Sequence, residues 1–196
     1  GICDVTSLGK IEIVGPDAGE FLDRVYINMF STLKVGKARY GVMLREDGII
    51  YDDGTTSRFA EDRFFMTTTT AKAGPVMAYL ERCLEIDWPE LKVRVSSVSE
   101  RWGGMAVAGP DARATLIAAF PSVDFSNEAF PFMGVVHAEH NGAKLILLRI
   151  SFSGEMAFEV YAESEYATDI WQTIIDAGQV HDIVPYGLET LGALRI

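Results

Sequence analysis

Carboxylates in two β-rich stretches are the residues best placed to do chemistry. In GVMLREDGIIYDDGTTSRF the pair Asp52-Asp53 follows a short strand that leaves the turn Glu46-Asp47-Gly48, and it stands directly before Gly54. Successive strand side chains face opposite ways, so one carboxylate can enter a cleft while the other points outward. Set against apolar neighbours, such a group has a raised proton affinity and can serve as acid, base or partner of a cation. A solvated acidic turn is the plainer alternative for the same residues. In LILLRISFSGEMAFEVY, Glu155 follows a Ser-Gly turn and is expected at the surface. Glu159 lies between Phe158 and Val160, on a strand face shared with Ala157 and Tyr161. A carboxylate there wants a two-point donor, either an arginine or a flat ligand edge with two N–H groups such as a pterin or guanine. Tyr40, Phe130, Phe132 and Phe152 are candidates to stack on such a ring, with core packing as the competing use. Thr67–Thr70 reads as a solvated edge strand.

These residues need elements to hold them, and the elements repeat. Residues 11–23 run IEIVGPDAGEFLD and residues 105–117 run MAVAGPDARATLI. Each is an apolar strand, a Gly-Pro-Asp turn with Pro near the first helical position, and a helix. Hairpins are expected around Asp47-Gly48 and Asn141-Gly142, since both pairs tolerate positive φ. Further helices are expected over 72–83, over 164–177 with Ser164 as cap, and from Pro185-Tyr186-Gly187 onward. The pattern predicts an α+β fold of mainly antiparallel sheets with flanking helices. It divides into two pseudo-repeated lobes, residues 1–95 and 96–196, facing one cleft of the kind that takes small molecules.

Composition narrows the function classes. The 196 residues carry a net charge of −11 and no cluster of Lys and Arg, so nucleic acid is not an expected partner. No apolar run approaches the roughly 18 residues of a membrane span. Cys3 and Cys83 have neither metal-ligand nor redox spacing, and two buried thiols suit a cytoplasmic protein. His137 and His140 fall in a strand-like segment, so no metal site is expected. GxGxxG and P-loop patterns are absent. The start at Gly1 without Met, and the end inside the helix-like GLETLGALRI, suggest a piece of a longer polypeptide.

GVMLREDGIIYDDGTTSRF, FFMTTTT, RWGGMAVAGPDAR, SNEAFPFM, RISFSGEMAFEV and PYGLETLGALRI together resemble a known family. It is the tetrahydrofolate-binding domain shared by the glycine-cleavage aminomethyltransferase (T-protein), dimethylglycine dehydrogenase and the alpha subunit of heterotetrameric sarcosine oxidase, and the oxidase branch is nearest. The resemblance implies a folate-binding aminomethyltransferase-like fold over residues 1–196. It implies that Asp53 is the catalytic carboxylate and that Tyr40, Phe152 and Glu159 contact the pterin. Phe152 stands where the family has Tyr, and Leu191 where the transferase has Arg, with Arg195 one turn later. The implied activity is acceptance of the one-carbon unit of oxidised sarcosine by tetrahydrofolate, giving 5,10-methylenetetrahydrofolate. Flavin and NAD would belong to the full complex outside this chain, and the partners would be the other oxidase subunits, including a flavin-bearing beta subunit. The alternatives are a stand-alone aminomethyltransferase, a dimethylglycine dehydrogenase-like folate domain, and a folate-binding module without catalysis.

Overall fold

The computed structural model describes residues 1–195. In chain order the elements are β1 (Ile2–Asp4), β2 (Gly9–Val14), α1 (Ala18–Val25), β3 (Lys37–Leu44), β4 (Ile50–Ala60), β5 (Arg63–Thr68), α2 (Ala73–Arg82) and β6 (Arg94–Ser97). They continue as β7 (Trp102–Ala108), α3 (Ala112–Ala119), β8 (Val135–His140), β9 (Ala143–Leu148), β10 (Ala157–Glu163), α4 (Ala167–Gly178), β11 (Pro185–Tyr186) and α5 (Leu188–Leu194). The chain forms two compact units, one of Leu8–Ser99 and one of Gly1–Ser7 with the chain from Glu100 onward.

In the Leu8–Ser99 unit the sheet order is β3-β4-β5-β2-β6, and every neighbouring pair is antiparallel. α1 buries Ala18, Phe21, Leu22 and Val25, the i, i+3, i+4, i+7 stripe of a helix lying on a core. That stripe meets Ile11 and Ile13 of β2 and Phe64 and Met66 of β5, with Val76 and Leu80 of α2 closing the same core. α2 runs into a wider helical turn over Cys83–Asp87, closed by the Trp88 N–H on the Cys83 carbonyl at 2.7 Å.

In the second unit the order is β11-β1-β7-β10-β9-β8. All its pairs are antiparallel except β1–β11. The core gathers Leu116, Phe125, Phe130, Leu145, Leu147, Phe158, Val160, Ile170 and Ile174. Both units therefore carry a hairpin at one side, then the strand that follows it, then the strand that leads into the Gly-Pro-Asp turn. The two turns share a backbone. Gly15 has φ of 148° and Gly109 of 122°, and Asp17 and Asp111 have φ,ψ of −99°, 12° and −96°, 7°. The Ala18 and Ala112 N–H groups donate to the carbonyls of Gly15 and Gly109 at 3.0 and 3.1 Å.

Several expectations are corrected. The units divide at Ser7/Leu8 and Ser99/Glu100 rather than at 95/96, because β1 pairs with β7 and takes the place beside it that β6 takes beside β2. Asp52-Asp53-Gly54 lies inside an eleven-residue strand, not after one. Thr67 and Thr68 are buried in β5, between β4 and β2, rather than on a solvated edge. Pro185-Tyr186 is a strand parallel to Ile2-Cys3. Ser164 does not cap α4; it opens a tight turn over Ser164–Tyr166, and its hydroxyl donates to the Glu100 carbonyl at 2.6 Å. Among the described residues, no helix is long and apolar enough to cross a membrane.

Two glycines test this packing in opposite directions. A Cβ on Gly15 would lie 2.0 Å from the Lys92 carbonyl oxygen at a φ that L-residues rarely adopt. A Cβ on Gly74, in α2, would meet nothing within 4 Å. Gly15→Ala should lower stability by at least about 2 kcal/mol, while Gly74→Ala should raise it by about 0.4–1 kcal/mol. Denaturant unfolding midpoints of the two variants check both signs.

Candidate functional site

Asp53 is positioned by the register of β3 against β4. Val42 pairs with Asp53 and Tyr40 with Thr55, which makes Tyr40 and Asp53 diagonal neighbours on one sheet face. The Tyr40 hydroxyl donates to Asp53 Oδ2 at 2.7 Å. Tyr40 is 44% exposed, so this phenol is an open group and not a core filler. Asp52 points the other way, opposite buried Met43, and is only 4% exposed. It accepts the Thr69 hydroxyl at 2.8 Å and the Thr69 N–H at 3.3 Å. Burial holds its carboxyl above the ordinary aspartate value of 3.8, with the Thr69 hydroxyl and the Asp53 and Thr69 N–H groups pulling against that rise. The adjacent carboxylates thus differ in kind: Asp52 is a structural acceptor in the core, and Asp53 is the reachable one.

Glycines allow this geometry. Gly41 and Gly54 face each other across β3 and β4. A Cβ on Gly54 would lie 2.1 Å from the Thr67 carbonyl oxygen, and one on Gly41 would lie 2.8 Å from Tyr26 and 2.9 Å from Phe30. Thr67 adds a second tie, since its hydroxyl donates to the Thr55 carbonyl and accepts the Thr55 N–H, each at 3.2 Å.

Glu159 sits on β10, opposite Ala106 of β7 and Leu148 of β9. Tyr161, two residues along on the same face, donates its hydroxyl to Glu159 Oε2 at 2.5 Å. Sequence reasoning placed an arginine or a ligand edge against Glu159 and missed this tyrosine. Tyr161 is fully buried, and burial followed by the Glu159 charge pushes its hydroxyl well above its ordinary value of 10.0. It therefore stays protonated and a donor. Gly104 pairs with Tyr161, and a Cβ there would lie 2.8 Å from the Tyr161 ring.

Phe152 is 49% exposed on the loop between β9 and β10, and the Arg195 guanidinium stacks 4.3 Å from its ring centre. Phe132 is 60% exposed, whereas Phe130 is buried and packs with Phe125 and Phe158 at 5.8 and 5.6 Å. The stacking candidacy of Phe130 is thereby withdrawn. Asp53 and Tyr40 come together in the Leu8–Ser99 unit, and Glu159 and Phe152 belong to the other. The Leu8–Ser99 unit also holds a cavity of about 500 Å³ between the β3–β4 hairpin and α2, lined by Arg45, Tyr51, Tyr79, Arg82 and Trp88 among others. It contains none of the expected site residues.

The GCVT N-terminal domain family matches residues 1–196. This chain belongs to that family. It is 54% identical over 198 residues to the sarcosine oxidase subunit alpha of Rhizobium meliloti strain 1021, covering all of this chain and 20% of that protein. It is 32% identical over 196 residues to the aminomethyltransferase of Staphylococcus haemolyticus strain JCSC1435, covering all of this chain and 51% of that protein. The chain thus spans only a fifth to a half of the length of these curated relatives. Among solved structures, the glycine cleavage system aminomethyltransferase T of Bartonella henselae superposes with a TM-score of 0.84 at 26% identity, over all of this chain and 50% of that one. The α+β class and the aminomethyltransferase fold follow from that superposition.

Asp52 has a pH signature. Its carboxyl binds a proton more tightly folded than unfolded. Between the unfolded value and the raised folded value the native state holds the extra proton, so this group makes stability fall as pH rises through that window. In Asp52→Asn that contribution is gone. Wild-type stability minus variant stability should therefore decline with rising pH above about 3.8 and then level off, as measured by denaturant unfolding at a series of pH values.

Proposed function

We propose that this chain is the tetrahydrofolate-binding part of a sarcosine oxidase alpha subunit, where the one-carbon unit of oxidised sarcosine passes to tetrahydrofolate and forms 5,10-methylenetetrahydrofolate. The observation that carries the proposal is the Tyr40–Asp53 pair: a reachable carboxylate, steered by a phenol, beside a second carboxylate that is locked away in the core. The name of the Rhizobium meliloti relative supplies the amine and the oxidase context. The matched strand orders and turns support reading the two units as duplicated halves of one folate domain.

The donor set suits a reduced pterin. Glu159 offers a carboxylate that can accept two neighbouring N–H groups, and the Tyr161 hydroxyl fixes its orientation. Phe152 presents an open flat ring backed by a cation. Bound tetrahydrofolate would supply the nucleophilic nitrogens. Asp53 would hold the developing positive charge and accept the proton released as the C–N bond forms. Tyr40 would keep the Asp53 carboxylate in one rotamer, so that little reorganisation accompanies the step. Oxidation of the amine would fall to a flavin on a partner subunit such as the beta subunit, and nicotinamide binding would likewise lie outside this chain. The proposed setting is the cytoplasm. The resemblance places an Arg of the stand-alone aminomethyltransferase at the position of Leu191, and that difference favours the oxidase branch.

In the full complex, Glu159→Gln should weaken tetrahydrofolate binding by about 2–4 kcal/mol, because an acceptor is replaced by a group that meets donors with a donor. Its rate at saturating folate should change little, since uniform binding appears in affinity. Asp53→Asn should lower the transfer rate roughly 100-fold with a smaller effect on affinity. Tyr40→Phe should fall between wild type and Asp53→Asn, losing about tenfold in rate. Folate titration and methylenetetrahydrofolate yield measure these separately. A wild-type transfer rate in Asp53→Asn under saturating folate would remove Asp53 from the chemistry.

A further inference from the structure

Two arginines meet at the start of α3 without a carboxylate between them. Arg113 is the second residue of α3, and Arg149 directly follows β9. Arg113 Nη2 and Arg149 Nη1 both donate to Asn127 Oδ1, each at 2.8 Å. Arg149 Nη1 also donates to the Phe130 carbonyl at 2.9 Å, and Arg113 Nη2 lies 3.7 Å from Met156 Sδ. Arg113 Nε is buried with no hydrogen-bond partner among the described residues. Six other arginines, Arg24, Arg45, Arg58, Arg63, Arg82 and Arg101, each meet a carboxylate. Among the described residues, neither Arg113 nor Arg149 has an ion-pair partner.

One neutral oxygen shared by two cations is a poor resting arrangement. Like charges repel, and an orphaned buried donor costs the desolvation of that group. Burial, and then the charge of Arg113, hold the Arg149 guanidinium below its ordinary pKa. The repeated turn does not require the cluster either. The Leu8–Ser99 unit makes the same Gly-Pro-Asp turn with Gly19 where α3 has Arg113.

We propose that Arg113 and Arg149 form a subsite for an oxyanion, a carboxylate or a phosphate. Guanidinium groups present planar, paired N–H donors that match the two oxygens of either anion. An anion bridging the two guanidinium groups would bring a charge that relieves the repulsion between the two cations. The subsite flanks the loop that carries Phe152, with Arg149 at its start and Met156 at its end. The anion has two sources: a free inorganic oxyanion, or the glutamyl carboxylates of a folate ligand. The second source rests on the folate proposal above, and the first does not.

The test uses the full-length protein, with Arg113→Gln as the main variant because it leaves the Arg149 bond to the Phe130 carbonyl in place. Arg101→Gln removes an equal charge from an arginine already paired with Glu163, and serves as control. One arm titrates inorganic phosphate by calorimetry, with sodium chloride holding the ionic strength constant. The other compares affinity for tetrahydrofolate with one and with three glutamyl groups. Arg113→Gln should weaken phosphate binding, or the gain from added glutamyl groups, about tenfold, and Arg101→Gln should change neither. Loss in the phosphate arm assigns a free anion, and loss in the glutamyl arm alone assigns the ligand tail. If the full-length protein does not bind folate at all, the functional proposal fails while the phosphate arm still decides the subsite. If Arg113→Gln does not fold, phenylglyoxal labelling of wild type replaces it, and phosphate or folate should protect Arg113 and Arg149. The proposal is overturned if wild type shows no response in either arm, if Arg113→Gln matches wild type in both, or if neither anion protects the two arginines.

Discussion

Gly41 and Gly54 face each other across β3 and β4, and neither position has room for a side chain. That close approach fixes the pairing register on which the Asp53 site depends. Strand side chains alternate, so a slip of one residue would exchange the two aspartates between faces. Asp52 would then lose Thr69 and stand in the open, while Asp53 would be driven into a core that offers no Tyr40. Each glycine blocks such a slip, because any other residue placed there would run into Thr67, Tyr26 or Phe30. The acidic pair is thus divided into a buried member and a more open member by close packing at two glycines.

The second unit solves the same problem with different residues. Glu159 is set by Tyr161 on its own strand, and Tyr161 in turn needs the space left by Gly104 on β7. In both units a phenol donates to a carboxylate, and a glycine on a paired strand removes a side chain from the packing beside it. The tyrosines differ in exposure. Tyr40 is open, while Tyr161 is sealed in and cannot ionise readily. Beside Asp53 the phenol is open, whereas beside Glu159 the phenol is sealed and only the carboxylate is partly exposed.

Much of this was legible in the residues. The Gly-Pro-Asp turns, the Asn141-Gly142 hairpin and the apolar stripe of α1 are local signals, and local sterics decide them. The opposite facing of Asp52 and Asp53 follows from strand geometry. What was not legible depends on partners distant in sequence. Thr67 and Thr68 look like edge residues until β2 and β4 are known to flank them. Phe130 and Phe132 differ by two positions and share an apolar loop, yet one packs against Phe125 and Phe158 and the other does not. Ser164 has the composition of a cap, but a carbonyl at Glu100 takes its hydroxyl first. The pairing of Tyr161 with Glu159 had a signal, the i, i+2 spacing of a donor and an acceptor on one strand face, and it was passed over because the tyrosine also reads as core.

The placement of β1 bears on how the chain acquires its shape. Residues 8–99 form a continuous unit whose strands all find partners within that span. β1 precedes this span, yet its partners are β7 and β11, and its hydrogen bonding reaches from the Ile2 N–H to the Val184 carbonyl, 182 positions away. On a ribosome the Leu8–Ser99 unit is complete while β1 is still an unpaired apolar strand. Closure of so long a loop is entropically slow, and an open strand edge is the kind of surface that pairs with the wrong chain. Synthesis therefore leaves a window between the emergence of Ser99 and that of β7 and β11. In that window the protein depends on folding faster than it aggregates.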